Sequence, residues 1–267
     1  MSHVIAIANQ KGGVGKTTTA INLGASLAVA EKRTLILDID PQGNATSGLG
    51  IEARSSKPTV YDVLIGQKGI EEATIREVHF PLLDVVPSTR DLVGAEIELV
   101  SAFSRETILR KALEPVRDKY DFILVDCPPS LGLLTVNTLT AADSVLIPIQ
   151  CEFYALEGLS QLLNTVRLVQ RGLNPELDIE GVLLTMYDKR LNLSKQVSEE
   201  AREYFGPKVY RSAIPRNVRL AEAPSFGQPI VLYDVLSSGA QAYLSLAQEV
   251  IDRQTRSVRP ASSGAES

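Results

Sequence analysis

Residues 4–19 read Val-Ile-Ala-Ile-Ala-Asn-Gln-Lys-Gly-Gly-Val-Gly-Lys-Thr-Thr-Thr: a short β-branched apolar run, a glycine-rich turn, then Gly-Lys-Thr. Strand, turn and helix start in that order make a cradle for phosphate. Gly12, Gly13 and Gly15, with Val14 between them, can take positive φ and let backbone N–H groups converge on anionic oxygens. The helix opening at Thr17 and Thr18 adds the positive end of its dipole. In this pattern Lys16 reaches the β- and γ-phosphates and the Thr17 hydroxyl holds Mg²⁺. The strict G-x-x-x-x-G-K-[ST] spacing asks for glycine at position 10. Here that position is Gln10, and an additional lysine, Lys11, stands at the mouth of the loop.

Working outward, apolar β-rich runs alternate with helical patterns. Strands are expected near 3–8, 34–39, 82–87, 121–126, 144–149 and 179–186. Helices are expected near 17–30, 91–102, 105–117, 131–141, 155–171, 193–205 and 239–253. This alternation predicts the α/β class: a P-loop NTPase fold with a mostly parallel twisted sheet and helices on both faces. Runs such as Thr34-Leu-Ile-Leu-Asp-Ile39 and Phe122-Ile-Leu-Val125 are continuously apolar, as strands covered from both sides are. Residues 41–59, with Gly43, Gly48 and Gly50, read as a mobile loop.

The 267 residues, 44% of them apolar, suffice for one large domain over 1–254, followed by a small polar tail at 255–267 expected to be disordered. Cys127 and Cys151 lack a pairing pattern and read as small core residues of a protein in a reducing cytoplasm. No apolar run reaches the ~20 residues of a membrane span, and the first residues lack the features of a signal peptide. His3 and His79 are too isolated to suggest a metal site. The net charge of −5 argues against nucleic acid only as an average. Residues 188–222 hold eight basic against five acidic residues, a local excess of three.

Two carboxylate clusters follow strands. In Leu37-Asp38-Ile39-Asp40-Pro41, period-2 geometry puts Asp38 and Asp40 on one face, which is costly unless a cation or bound water sits there. Phe122-Ile-Leu-Val-Asp126-Cys-Pro-Pro129 ends an apolar strand in an aspartate, placing Asp126 to contact Mg²⁺ directly or through water.

Lys11-Gly12-Gly13-Val14-Gly15-Lys16-Thr17-Thr18 resembles the deviant phosphate loop of the ParA/MinD ATPases. Thr185-Met-Tyr-Asp188 and Ile214-Pro-Arg-Asn-Val-Arg-Leu-Ala-Glu-Ala-Pro-Ser225 are similar to segments of the chromosomal ParA (Soj) branch. The resemblance implies ATP and Mg²⁺ as ligands and a homodimer formed with ATP, in which Lys11 crosses to the partner's nucleotide. It implies that Asp40 orients the attacking water, that Asp38 supports the metal shell, and that Pro215 and Asn217 line an adenine pocket. A guanine site would show Asn-Lys-x-Asp after a late strand, and this chain has Thr185-Met-Tyr-Asp-Lys-Arg190. Arg190 and Arg219 fall at positions that the family uses to grip DNA phosphates, with Lys195, Arg202 and Arg216 widening the patch. Non-specific double-stranded DNA, a ParB-type centromere-binding protein and the replication initiator are the implied partners. The implied location is the cytoplasm, on the nucleoid.

Three other readings carry weaker signals. A MinD-like membrane cycle needs a basic amphipathic C-terminal helix, whereas Tyr243, Leu246, Ala247, Val250 and Ile251 form a stripe suited to core packing. A nitrogenase-reductase-like protein needs cysteines that bridge a cluster between subunits, and a small-molecule ligase would not need Arg190 and Arg219.

Overall fold

The computed structural model describes residues 2–52, 58–152 and 158–258. Within them the chain runs β1 (His3–Ile7), α1 (Lys16–Val29), β2 (Thr34–Asp38), α2 (Asn44–Gly48), α3 (Val60–Leu64), α4 (Ile70–Ala73), β3 (Leu83–Val86), α5 (Leu92–Glu98) and α6 (Ile108–Leu113). It continues β4 (Phe122–Asp126), α7 (Leu133–Ala141), β5 (Ser144–Gln150), α8 (Leu159–Gly172), β6 (Asp178–Thr185), α9 (Asn192–Phe205), α10 (Val218–Glu222), α11 (Ile230–Tyr233) and α12 (Ser238–Val258). The strands form one sheet in the order β3-β2-β4-β1-β5-β6, with every pair parallel.

Because side chains alternate along a strand, each central strand feeds two layers. Ile5, Ile7, Phe122 and Leu124 pack with Leu23 and Leu27 of α1 and with Tyr243, Leu246 and Val250 of α12. Val4, Ala6, Ile123 and Val125 point the other way, into the layer of Leu134 and Leu139 of α7 and Leu162 and Val166 of α8. The predicted α12 stripe is therefore core. α1 lies so close to the sheet that a Cβ on Gly24 would come within 2.6 Å of Ile36 Cδ1. Cys127 and Cys151 are buried free thiols, both pushed up to about 12 by burial.

Two boundaries differ from expectation. The reading of 41–59 as a mobile loop is corrected for 44–48, which form α2 with Ala45, Thr46 and Gly48 buried; residues 53–57 of that stretch lie outside the described residues. Thr46 bonds inward to Asp38, so glycines that suggested flexibility instead permit a tight turn, as at Gly43 with φ of 61°. The last helix continues to Val258, beyond both its expected end at 253 and the expected domain edge at 254. The rest of the expected tail, residues 259–267, and the start of the helix expected at 155 lie outside the described residues.

Parallel pairing fixes where chemistry sits. β1 and β4 lie at the centre of the order, and their C-terminal ends meet with Ile7 opposite Asp126. Asp126 in turn sits opposite Asp38 of β2. The glycine loop leaves β1 directly above this pair, at the sheet edge where open α/β folds bind ligands.

Candidate functional site

The loop between β1 and α1 has the geometry its glycines permit. Gly13 and Gly15 take φ of 76° and 89°, and Gly15 is the left-handed residue that starts α1. A Cβ on Gly12 or Gly13 would meet nothing within 4 Å, so the hollow they border is open. Asn9 braces the loop from below, donating to Pro148 O (2.8 Å) and accepting from the Lys11 amide (3.0 Å). Lys16 is buried, and its ammonium crosses the loop mouth to donate to Lys11 O at 3.3 Å. Burial pulls that ammonium below the usual lysine range, with Asp126 and Asp40 opposing the shift. It is a cation held ready for an anionic ligand.

The structure separates the roles of the three carboxylates. Asp38 Oδ2 accepts from the Thr46 amide (2.8 Å) and hydroxyl (2.7 Å), and its Oδ1 accepts from the Asp40 amide (3.2 Å). Burial nevertheless pushes its carboxyl up to about 6. With both oxygens engaged by protein donors, Asp38 braces the turn that carries Asp40. Asp40 accepts from the Gln42 amide (2.9 Å) through Oδ1, while its backbone carbonyl accepts from Ser88 Oγ (2.8 Å). Asp126 differs from both. Its side chain is fully buried and neither oxygen has a hydrogen-bond partner. Burial and the adjacent Asp38 push its carboxyl well above the usual carboxylate range; Thr17 and Lys16 offset only part of the rise.

An unpartnered carboxylate in a dry interior is unfavourable by several kcal/mol, of order 2–7 even for an uncharged polar group. A divalent cation relieves that cost, and the oxygen-only pair of Thr17 and Asp126 suits Mg²⁺. The residues present therefore fit the ion that the phosphate loop implies.

Beside the loop is a cavity of about 220 Å³, lined by Gly15 and Thr18 on one side and by Met186, Ile214, Pro215 and Asn217 on the other. The walls are largely apolar side chains, suited to the flat face of a base. Asn217 caps α10 through its side-chain oxygen, accepting from the Leu220 amide (3.4 Å) and donating to Ser238 Oγ (2.7 Å). The structure thus brings together residues separated by some 200 positions: the phosphate loop with Pro215 and Asn217.

The basic residues divide into two groups. Arg190 follows β6 and Arg219 lies on α10, in the two segments whose Met186 and Leu220 line the cavity, while Arg216 lines it directly. Arg216 and Lys195 are exposed. Arg190 forms a two-point ion pair with Asp188 (2.9 and 2.7 Å), and Arg219 pairs with Glu222 (2.9 Å) and Asp234 (3.6 Å). Arg202 lies elsewhere. It lines a cleft with His3, Asp143 and Lys208 at the opposite, N-terminal edge of the sheet. One helix, α9, carries both Lys195 and Arg202, with Arg202 two turns, about 10 Å, further along it.

Four residues complete the site without having been given a role from the sequence. Thr46 and Ser88 hold the Asp38–Asp40 turn, Thr185 donates to Val14 O (2.8 Å), and Glu152 pairs with Lys11. Thr185 stood at the end of an expected strand, which is a positional signal; Thr46, Ser88 and Glu152 offered none. In the single chain the Lys11 ammonium is held by Glu152 of the same molecule.

A phosphate loop on a parallel sheet, a buried lysine, an unpartnered aspartate and an apolar base slot define a P-loop ATPase. A family model described as AAA domain matches residues 2–179. The chain is 63% identical over 250 residues to the sporulation initiation inhibitor protein Soj of Bacillus subtilis, covering 94% of this chain and 98% of the relative. It is 58% identical over 255 residues to the chromosome partitioning protein ParA of Myxococcus xanthus, covering 96% and 90%. Among solved structures, cobyrinic acid a,c-diamide synthase from Mycobacterium smegmatis with bound ADP and magnesium matches with a TM-score of 0.83 and 37% identity over 97% of each chain. The chain belongs to the ParA/Soj family of chromosome-partitioning ATPases.

Proposed function

We propose that ATP pairs two copies of this chain, that the pair binds duplex DNA without reading its sequence, and that a ParB-type protein triggers hydrolysis and release. The protein then acts in the cytoplasm on the nucleoid, with one working domain that extends past the expected edge at 254 to the end of α12. The observation that carries this reading is the unpartnered Asp126 carboxylate beneath an open glycine loop, since it asks for the metal of a bound nucleotide.

The chain's own groups account for the reaction. Adenine enters the slot against Pro215, and the triphosphate lies along the amides of residues 12–17 with Lys16 on its terminal oxygens. Thr17 and Asp126 would hold Mg²⁺, which when bound would supply positive charge against the phosphates. Asp40, anchored through Gln42 and Ser88, orients water in line with the terminal phosphorus. Lys11 of the second copy supplies the last positive charge, so the site is complete only in the pair.

Arg190 and Arg219 bind phosphates, assisted by Arg216 and Lys195, and pairing doubles the number of contacts. Such binding carries no base readout and weakens steeply with salt. The test is co-sedimentation with plasmid DNA in ATP, ADP or no nucleotide at two salt concentrations. Retention with ATP alone, lost at higher salt, is expected; equal retention in all three states overturns the proposal.

A further inference from the structure

Two arms of the site meet at a joint outside every motif. One arm runs from Asp38 through the Asp40 turn and α2 to Gly50; the other runs from Pro215 and Asn217 through α10 to Gly227, which closes the single turn Ala223–Phe226. Gly50 and Gly227 take φ of 72° and 64°. A Cβ on Gly227 would lie 2.6 Å from Gly50 Cα and 3.0 Å from Gly50 N, and one on Gly50 would lie 3.1 Å from Gly227 O. The obstructing atoms are backbone, so no side-chain rotation could make room. The arms touch main chain to main chain, where glycine alone fits.

His79 closes this joint from the solvent side. Its Nε2 lies 3.0 Å from Leu49 O, at the end of α2, and 2.8 Å from Gly227 O. Carbonyl oxygens only accept, so Nε2 carries a proton and shares that one N–H between the two arms. The turn that presents His79 is itself pinned to β3: Glu77 N donates to Asp84 Oδ1 (2.9 Å) and Val78 N to Leu83 O (2.7 Å). Within it Glu77 and His79 take φ of 57° and 62°. Left-handed residues other than glycine are unfavourable, and they persist where surrounding contacts fix them, commonly at working parts of a fold.

What the joint sets is the direction of the hydrolytic arm. The base slot is registered to the phosphate loop by bonds of its own: Thr185 Oγ1 to Val14 O (2.8 Å), Tyr187 N to Ile214 O (2.9 Å) and Ile230 N to Asn22 Oδ1 (2.7 Å). α2 is anchored near its start, where Thr46 donates to Asp38 (2.7 Å). Its far end rests on the other arm, with Leu49 and Gly50 at the joint and a Cβ on Gly48 only 3.7 Å from Pro224 Cβ. Two anchors fix a direction and one does not. Released at the joint, α2 pivots on Thr46 and carries the Asp40 turn with it, while the phosphate loop and slot keep their geometry.

We infer that His79 is a positioning residue for hydrolysis: it clamps the Gly50–Gly227 joint, and the clamp keeps Asp40 in register with a nucleotide held by the other arm. The inference rests on the role proposed above for Asp40 and deepens it.

The test is phosphate release by the full chain with Mg²⁺ and ATP, at protein concentrations where turnover per chain has levelled off. His79→Phe keeps a ring and removes the N–H. It should lower kcat about two- to tenfold, the scale of one net hydrogen bond, and leave KM for ATP within about twofold. His79→Gln restores N–H donors at similar reach and should recover most of the lost rate. Gly227→Ala forces the arms apart without altering His79 and should likewise lower kcat at constant KM; if it does not fold, the two His79 variants decide alone. A residue that only supported the fold would show neither the split between kcat and KM nor the rescue by glutamine. Normal kcat in His79→Phe or in folded Gly227→Ala overturns the inference, as does a loss that glutamine fails to restore or a rise in KM at constant kcat. Asp40→Ala runs alongside: if it is slowed and His79→Phe is not, the inference alone falls, and if Asp40→Ala turns over normally, the role of Asp40 falls with it.

Discussion

The ammonium of Lys11 pairs with the carboxylate of Glu152 in the same chain, whereas the proposed pairing of two copies uses this lysine in the neighbour's site. Both side chains are more than a third exposed, and such a pair contributes only about 0–1 kcal/mol. It is weak enough to be exchanged for a triphosphate. Turnover per chain should therefore rise with protein concentration. Lys11→Ala should hold turnover near the level of the dilute protein, and Glu152→Gln should lower the concentration for half-maximal turnover about two- to fivefold. A concentration series of phosphate release measures all three, and concentration-independent turnover contradicts the exchange.

Asp126 gives a stability test independent of activity. Its carboxyl is buried without partners beside Asp38, so Asp126→Asn removes an acid whose ionisation the nucleotide-free fold opposes. The variant should resist urea better by about 1–3 kcal/mol without ligand, the cost of an unsatisfied buried polar group. With Mg²⁺ and ATP the order should reverse, because the unaltered protein gains a ligand contact that the variant lacks. Parallel urea titrations decide it; a variant less stable in both conditions contradicts the metal role.

Asp40→Ala should leave nucleotide binding in place and slow hydrolysis by about 10²–10⁴, the usual contribution of a positioned acid–base group. The fold should tolerate it, since Asp38 still receives both Thr46 bonds and Ser88 still reaches the backbone carbonyl at position 40. Single-turnover phosphate release, together with DNA retention after an ATP chase, measures the effect. Rapid release with ordinary turnover contradicts the assignment.

These sites were unevenly legible in the sequence. The phosphate loop and the Asp126 strand could be read because backbone geometry dictates their residues locally: glycine for positive φ, apolar residues for a strand covered on both sides. All six expected strands appear, and the sheet is parallel throughout. Thr46, Ser88 and Glu152 were invisible because each acts through a tertiary contact, and small polar residues satisfy a loop pattern equally well. Arg202 shows the opposite failure. Its closeness in sequence to Arg190 suggested one basic patch, but the length of α9 carries it to the far edge of the sheet.

Arg190→Glu with Arg219→Glu should abolish DNA retention and spare ATP-dependent pairing. Both guanidinia are exposed and already neutralised by Asp188 and by Glu222 with Asp234, so DNA binding exchanges a carboxylate for a phosphate. The same logic gives the reverse variant: Asp188→Asn frees Arg190 and should tighten DNA binding about two- to fivefold, the worth of an exposed pair. Filter binding across a salt series measures both. Arginine variants that bind DNA normally would return these side chains to the ordinary solvated surface.

At the far edge of the sheet, a second buried network predicts a pH-dependent stability unrelated to nucleotide. Glu180 Oε2 accepts from His3 Nε2 (2.7 Å) and Ser144 Oγ (2.7 Å), and Tyr210 Oη lies 3.5 Å from its other oxygen. The Arg253 guanidinium stacks on the Tyr210 ring at 4.0 Å and donates to the Glu180 carbonyl. Burial acts to raise the Glu180 carboxyl, but His3, Ser144 and Arg253 together hold it below the usual range. A carboxylate lowered on folding binds fewer protons in the native than in the unfolded state near its titration. Its stabilising contribution is therefore present above the unfolded value of about 4.3 and fades as pH falls through the folded one. Glu180→Gln should cost about 1–3 kcal/mol at pH 7, the range for a hydrogen bond to a charged group. The gap to the unaltered protein should narrow as pH falls below the unfolded value and close once it passes the lower folded one, where both chains carry a neutral side chain at that position. Urea denaturation at pH 7, 5 and 4 tests the sign: a gap that widens on acidification contradicts the network, since protonation then could not be what removes it.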